Sequence, residues 1–224
     1  MKFTRKHLSN TPLMALVVAN LIPLWGVIFL EWDVFNIVLL YWAENIIVGF
    51  YNILRMAIVK EKHPVGHLEK LIAIPFFVLH YGGFTAGHGF CVLGIFKKGA
   101  HLELIQGEEW PCFLVFVQLL VNVIKQAYSV ISVEMKFVLL ALFISHGVSF
   151  VHNYLLKGEY LSAKVDDLMV RPYARIVVMH ITVIAGAILS QLMGSPVVLL
   201  VVLVFLKTIL DVKLHLREHK KMQN

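Results

Sequence analysis

Residues 34–59 read VFNIVLLYWAENIIVGFYNILRMAIV, with Glu44 and Arg55 as the only charged side chains in twenty-six positions. A helix needs about 20 apolar residues to cross the hydrocarbon of a bilayer, so this stretch is long enough to span. Glu44 stands near its middle. An ionisable group at that depth costs a few kcal/mol or more unless it is paired, hydrated or bound. The stretch therefore predicts both a membrane helix and a partner for its carboxylate.

The rest of the chain agrees with a membrane class. Its 224 residues are 59% hydrophobic and only 15% charged, with a mean hydropathy of +0.79. A soluble domain would carry roughly 25% charged residues. Apolar stretches recur at 11–30, 34–59, 71–96, 111–131, 135–156, 173–192 and 196–215. The expectation is an all-α, polytopic transmembrane bundle forming a single integral membrane domain over 1–224. Seven spans are preferred. Six are possible if the short Gly194-Ser195-Pro196 turn joins a re-entrant hairpin. The basic start, MKFTRKHLSN, is followed by no small-residue cleavage site, so the first span reads as a retained helix.

Seven alternating spans place the 31–33, 97–110 and 157–172 connections on one face with the carboxyl terminus. The amino terminus and the 60–70, 131–135 and 193–195 connections take the other. Lys2, Arg5 and Lys6, set against Glu31 and Asp33, favour the amino-terminal face as cytoplasmic, whereas the tail LHLREHKKMQN argues the reverse. The net charge of +6 suits anionic lipid and gives no reason to invoke nucleic acid. Cys91 and Cys112 are expected to be reduced and buried.

Glu44 has counterparts. His88, His146 and His180 stand inside three other apolar stretches. At about 1.5 Å of rise per residue, all four lie about 10–15 Å below one face. Tyr41, Glu44, Asn45, Val48, Asn52 and Arg55 share one stripe of their helix, and His146, Ser149 and Asn153 share another. Lys207 and Asp211 are placed for an i,i+4 ion pair. Gly83 and Gly87 are spaced to admit a neighbouring helix. The plainer readings are interhelical hydrogen bonds for Asn45 and Asn52, a bond from His80 to Asn52 or a carbonyl, and interface anchoring for the tryptophans.

Three chemistries would use such a layer. Three imidazoles and a carboxylate suit a divalent metal, zinc first, with His88, His146, His180 and Glu44 as ligands. Asn45, Gln191 and His215, beside Ser149 and Asp211, are candidates to hold those ligands in place by hydrogen bonds. A catalytic form would lower the pKa of a metal-bound water, with Glu44 as base and Ser149 or Asp211 orienting a lipid or other hydrophobic substrate. In architecture this is similar to the seven-helix ceramidase and adiponectin-receptor hydrolases, although Asp211-x-x-x-His215 matches their last-helix histidine pair only distantly. The second reading is a serine hydrolase using Ser149 and His180. It resembles rhomboid proteases, but Phe150 stands where they keep a small residue. The third is a transporter in which the same groups relay a cation or proton.

YWAENIIVGFYNILRM, HYGGFTAGHGF, SHGVSFVHN, RPYARIVVMH and LKTILDVKLHLREH together resemble an uncharacterised domain-of-unknown-function family of small bacterial membrane proteins. The resemblance covers about residues 34 to 219, and its most specific string is YWxEN. It implies a multi-pass protein of a bacterial or archaeal inner membrane, with one domain, and it supplies no activity.

Overall fold

Asp33 begins the central helix: its carboxylate accepts from the Phe35 backbone N–H at 3.0 Å, an N-cap that satisfies one of the first free donors. That helix is α2, Val34–Ile58. The computed structural model describes residues 10–60, 64–96 and 110–221; for 10–17, 19, 64–67 and 214–221 it describes the backbone course alone. Around α2 stand α1 (Asn10–Phe29), α3 (Pro64–Ile95), α4 (Val115–Val130), α5 (Val133–Ser149), α6 (Val165–Val170), α7 (Tyr173–Met193) and α8 (Val197–Lys221). No strand occurs among the described residues. Ser132 caps α5 by accepting from the Met135 N–H at 3.3 Å. Gly194 ends α7 at φ 66°, the left-handed turn that a residue without Cβ adopts cheaply.

Helix directions follow from paired contacts. Trp42 Nε1 donates to the Thr85 carbonyl at 2.7 Å and the Tyr81 hydroxyl to the Asn45 carbonyl at 2.9 Å, so α2 and α3 are antiparallel. His80 meets Tyr173 at 2.8 Å and His88 meets His180 at 3.0 Å, so α3 and α7 run the same way. The Tyr51 hydroxyl donates to the Phe143 carbonyl at 3.1 Å and the Tyr154 hydroxyl to the Arg55 carbonyl at 2.8 Å. Hence α5 runs parallel to α2.

This last pairing corrects the expected alternation. The 157–164 connection does not share a face with residues 31–33; the Lys60 N–H donates to the Tyr160 carbonyl at 2.9 Å, at the opposite end of α2. The break lies at α4, whose last turn and cap, with Ala127 and Ile131, belong to the apolar cluster at the start of α2, so α5 sets out from that end. After Ser149 the backbone widens into a π-helix, Phe150–Leu156, which carries Phe150 and Tyr154 inward. They join Met56, Val59, Phe77 and, from α6, Val165 and Leu168 in one apolar cluster. A second cluster, at the other end of α2, gathers Phe35, Val38 and Leu39 with Leu93, Leu199 and Leu200.

Five helical stretches among the described residues are long and apolar enough to cross a membrane: Val34–Ile58, Leu68–Ile95, Cys112–Val130, Val133–Leu156 and Val165–Met193. Their outward faces carry large apolar side chains such as Leu71, Ile72, Phe137, Val148 and Leu192. A water-soluble monomer rarely exposes contiguous apolar patches beyond a few hundred Å². An all-α membrane protein accounts for both observations.

Candidate functional site

The four ionisable residues form two contacts rather than one centre. On one side of α2, Glu44 lies 2.5 Å from Arg175 of α7 and 3.7 Å from His146 of α5. On the far side of α3, His88 Nε2 meets His180 Nδ1 at 3.0 Å. Among the described residues no three His, Cys, Asp or Glu side chains group so as to hold a metal ion. The layer expected from depth is therefore split by rotation. α5 reaches Glu44 from one flank of α2, whereas His88 and His180 face each other across α3 and α7.

The supporting residues sort accordingly. Asn45 donates to the Tyr41 carbonyl at 3.0 Å and accepts from Arg175 Nε at 3.4 Å, so it holds the cation of the Glu44 pair, not a histidine. Asp211 pairs with Lys207 at 3.5 Å, as its spacing predicts. Asn20 links the two, donating to Asp211 at 3.0 Å and accepting from Lys207 at 2.9 Å. Ser149 accepts from Asn153 at 3.2 Å, and His180 pairs with His88, so serine and histidine are not hydrogen-bonded to each other. Gln191 is exposed and, eleven residues beyond His180, about 16 Å along the helix from it. It cannot hydrogen-bond that histidine. The side chain of His215 lies outside the described residues. His80 bonds Tyr173, and Asn52 instead donates to the Leu168 carbonyl at 2.9 Å. Cys91 and Cys112 are free thiols, exposed where burial was expected.

The chief feature that sequence reasoning missed is a cavity of about 210 Å³ between α2, α7 and α8. Among the described residues its wall includes Arg55, Arg171, Arg175 and Lys207 against a single carboxylate, Asp211. Tyr41, Asn45 and Asn52 add polar edges to it. Two of the four cations are already matched, Arg175 by Glu44 and Lys207 by Asp211. Lys207 also lies 5.1 Å from the centroid of the Tyr41 ring, a cation–π contact. Arg55 and Arg171 form no ion pair among the described residues. Arg55 stacks 5.7 Å over Tyr154, and its buried Nε has no hydrogen-bond acceptor. A signal was present in the string RPYAR, which sets two arginines one helical turn apart at the mouth of an apolar span.

The chain belongs to a family of unknown function, DUF6498, whose model matches residues 2–224. No curated protein and no solved structure matches it.

Proposed function

Taking membership of that family as the premise, we propose a multi-pass protein of a bacterial or archaeal inner membrane that binds the anionic group of an amphiphile. Its crossing elements are α1, α2, α3, α5, α7 and α8: α5 runs against α3, so α4 between them does not carry the chain across. The observation that carries the reading is the cationic wall of the cavity between α2, α7 and α8, with Arg55 and Arg171 outside any ion pair among the described residues. Guanidinium groups present forked donors that fit phosphate and carboxylate oxygens. An unpaired buried donor such as Arg55 Nε is costly until an acceptor arrives. At about 210 Å³ the cavity suits a phosphate or carboxylate group rather than a whole lipid, since complete drug-sized ligands occupy roughly 300–1,000 Å³. Zinc, hydrolysis and a Ser149/His180 nucleophile have no comparable observation behind them.

Native mass spectrometry of the protein released from nanodiscs of mixed phosphatidylcholine and phosphatidylglycerol tests this reading. Wild type is expected to retain phosphatidylglycerol selectively, and the Arg55→Gln/Arg171→Gln double variant to lose that enrichment by about tenfold, the loss of one charged hydrogen bond. Added inorganic phosphate distinguishes the source: competition marks a free-anion site, its absence a lipid headgroup. Equal retention of both lipids by wild type would overturn the proposal.

A further inference from the structure

A second and larger cavity, about 700 Å³, opens between α3, α4 and α7. From its geometry we infer that it binds an isoprenoid quinone, held by His180 through a ring carbonyl. Nothing in the anion-binding reading is needed for this, because the two cavities lie on opposite sides of α7.

Charge is the first ground. Among the described residues no Asp, Glu, Lys or Arg lines this cavity, in contrast to the neighbouring one. An ionised headgroup would be desolvated there without compensation, so the ligand is neutral. The histidines supply the second. In the His88–His180 contact one ring nitrogen donates and the other accepts. His88 is 5% exposed, and its Nδ1 is buried without a partner. Orphaned buried N–H groups are rarer than orphaned acceptors. His88 therefore carries its proton on Nε2 and donates to His180 Nδ1, which leaves His180 with its own proton on Nε2. His180 is exposed and lines the cavity, so it offers a donor to a ligand acceptor. A quinone carbonyl meets that requirement.

The third ground is space and shape. A Cβ built on Gly83 would meet Phe116 at 3.1 Å, so that glycine admits α4. A Cβ on Gly87, one turn further along the same wall, would meet nothing within 4 Å. The gap is flanked by the aromatic rings of Phe84 and Phe116, which suit a flat ring. Its outer lip, at Phe113 and Ile184, is exposed, so a prenyl tail can pass to the lipid.

The probe is decylubiquinone, titrated into protein in nanodiscs of synthetic phosphatidylcholine and followed by thermal stabilisation and by extraction of bound quinone. Saturable one-to-one binding is expected. Gly87→Phe, which fills the empty wall, and His180→Phe, which keeps the ring but removes the donor, should each weaken binding about tenfold, whereas His180→Gln, which restores an N–H, should stay within about threefold of wild type. The two His180 variants decide the matter if Gly87→Phe does not fold. Decane competing as well as decylubiquinone, or His180→Phe binding like wild type, would reduce the cavity to an acyl-chain groove and overturn the inference.

Discussion

Gly87 and Gly89 are two residues apart on α3 and face opposite surroundings. A Cβ on Gly89 would lie 2.4 Å from the Trp42 ring, whose Nε1 donates to the Thr85 carbonyl at 2.7 Å. Gly89→Ala must displace that ring and its hydrogen bond, and overpacking of this kind costs about 1–3 kcal/mol. Gly87→Ala meets open space and should be neutral or slightly stabilising, by up to about 1 kcal/mol, because alanine favours the helix. Melting temperatures in one detergent compare the two, and equal effects would contradict the packing. The Glu44–Arg175 contact is a residue-scale matter as well. Both side chains are partly accessible, so removing one charge should cost less than the 3–5 kcal/mol of a fully buried pair, about 2 kcal/mol. Glu44→Gln and Arg175→Gln should each destabilise, and the double variant should lose clearly less than their sum. An additive double-mutant cycle in chemical denaturation would show that the two groups do not interact.

At the scale of elements, the π-helix Phe150–Leu156 decides how α5 sits on α2. Such widened turns recur where a helix must re-aim its side chains. Here the re-aiming buries Tyr154 to 1% exposure and brings the 157–164 connection to Lys60. Lys60 and Ser162 are both exposed and should therefore be reached from the same side of the membrane. Lys60→Cys and Ser162→Cys, made without Cys91 and Cys112, are predicted to label together with an impermeant maleimide added to intact cells or to inverted vesicles. Labelling from opposite sides would restore strict alternation of the spans and refute the parallel pairing of α2 and α5.

For the whole molecule, apolar side chains cover the outward faces of five helices while polar ones gather inside and between them. The protein should stay with the membrane pellet through a carbonate wash and leave it only in detergent; release by carbonate would contradict integration. Membrane class, the all-helical fold, Glu44's need for a partner and the Lys207–Asp211 pair were legible in the chain itself. Each depends on local composition or on helical spacing, which one strand of sequence contains. Family membership was legible too, through strings such as YWAEN and RPYAR. Depth along a helix can be counted, but its rotation and its neighbours cannot. For that reason one expected layer became a Glu44–His146–Arg175 cluster and a separate His88–His180 contact. The tertiary structure alone decided that Arg55, Arg171, Arg175 and Lys207 share a cavity, that α5 runs parallel to α2, and that Gly87 faces open space. Which side chains face one another depends on how several helices bury their apolar faces at once, a condition that no single helix carries in its own sequence.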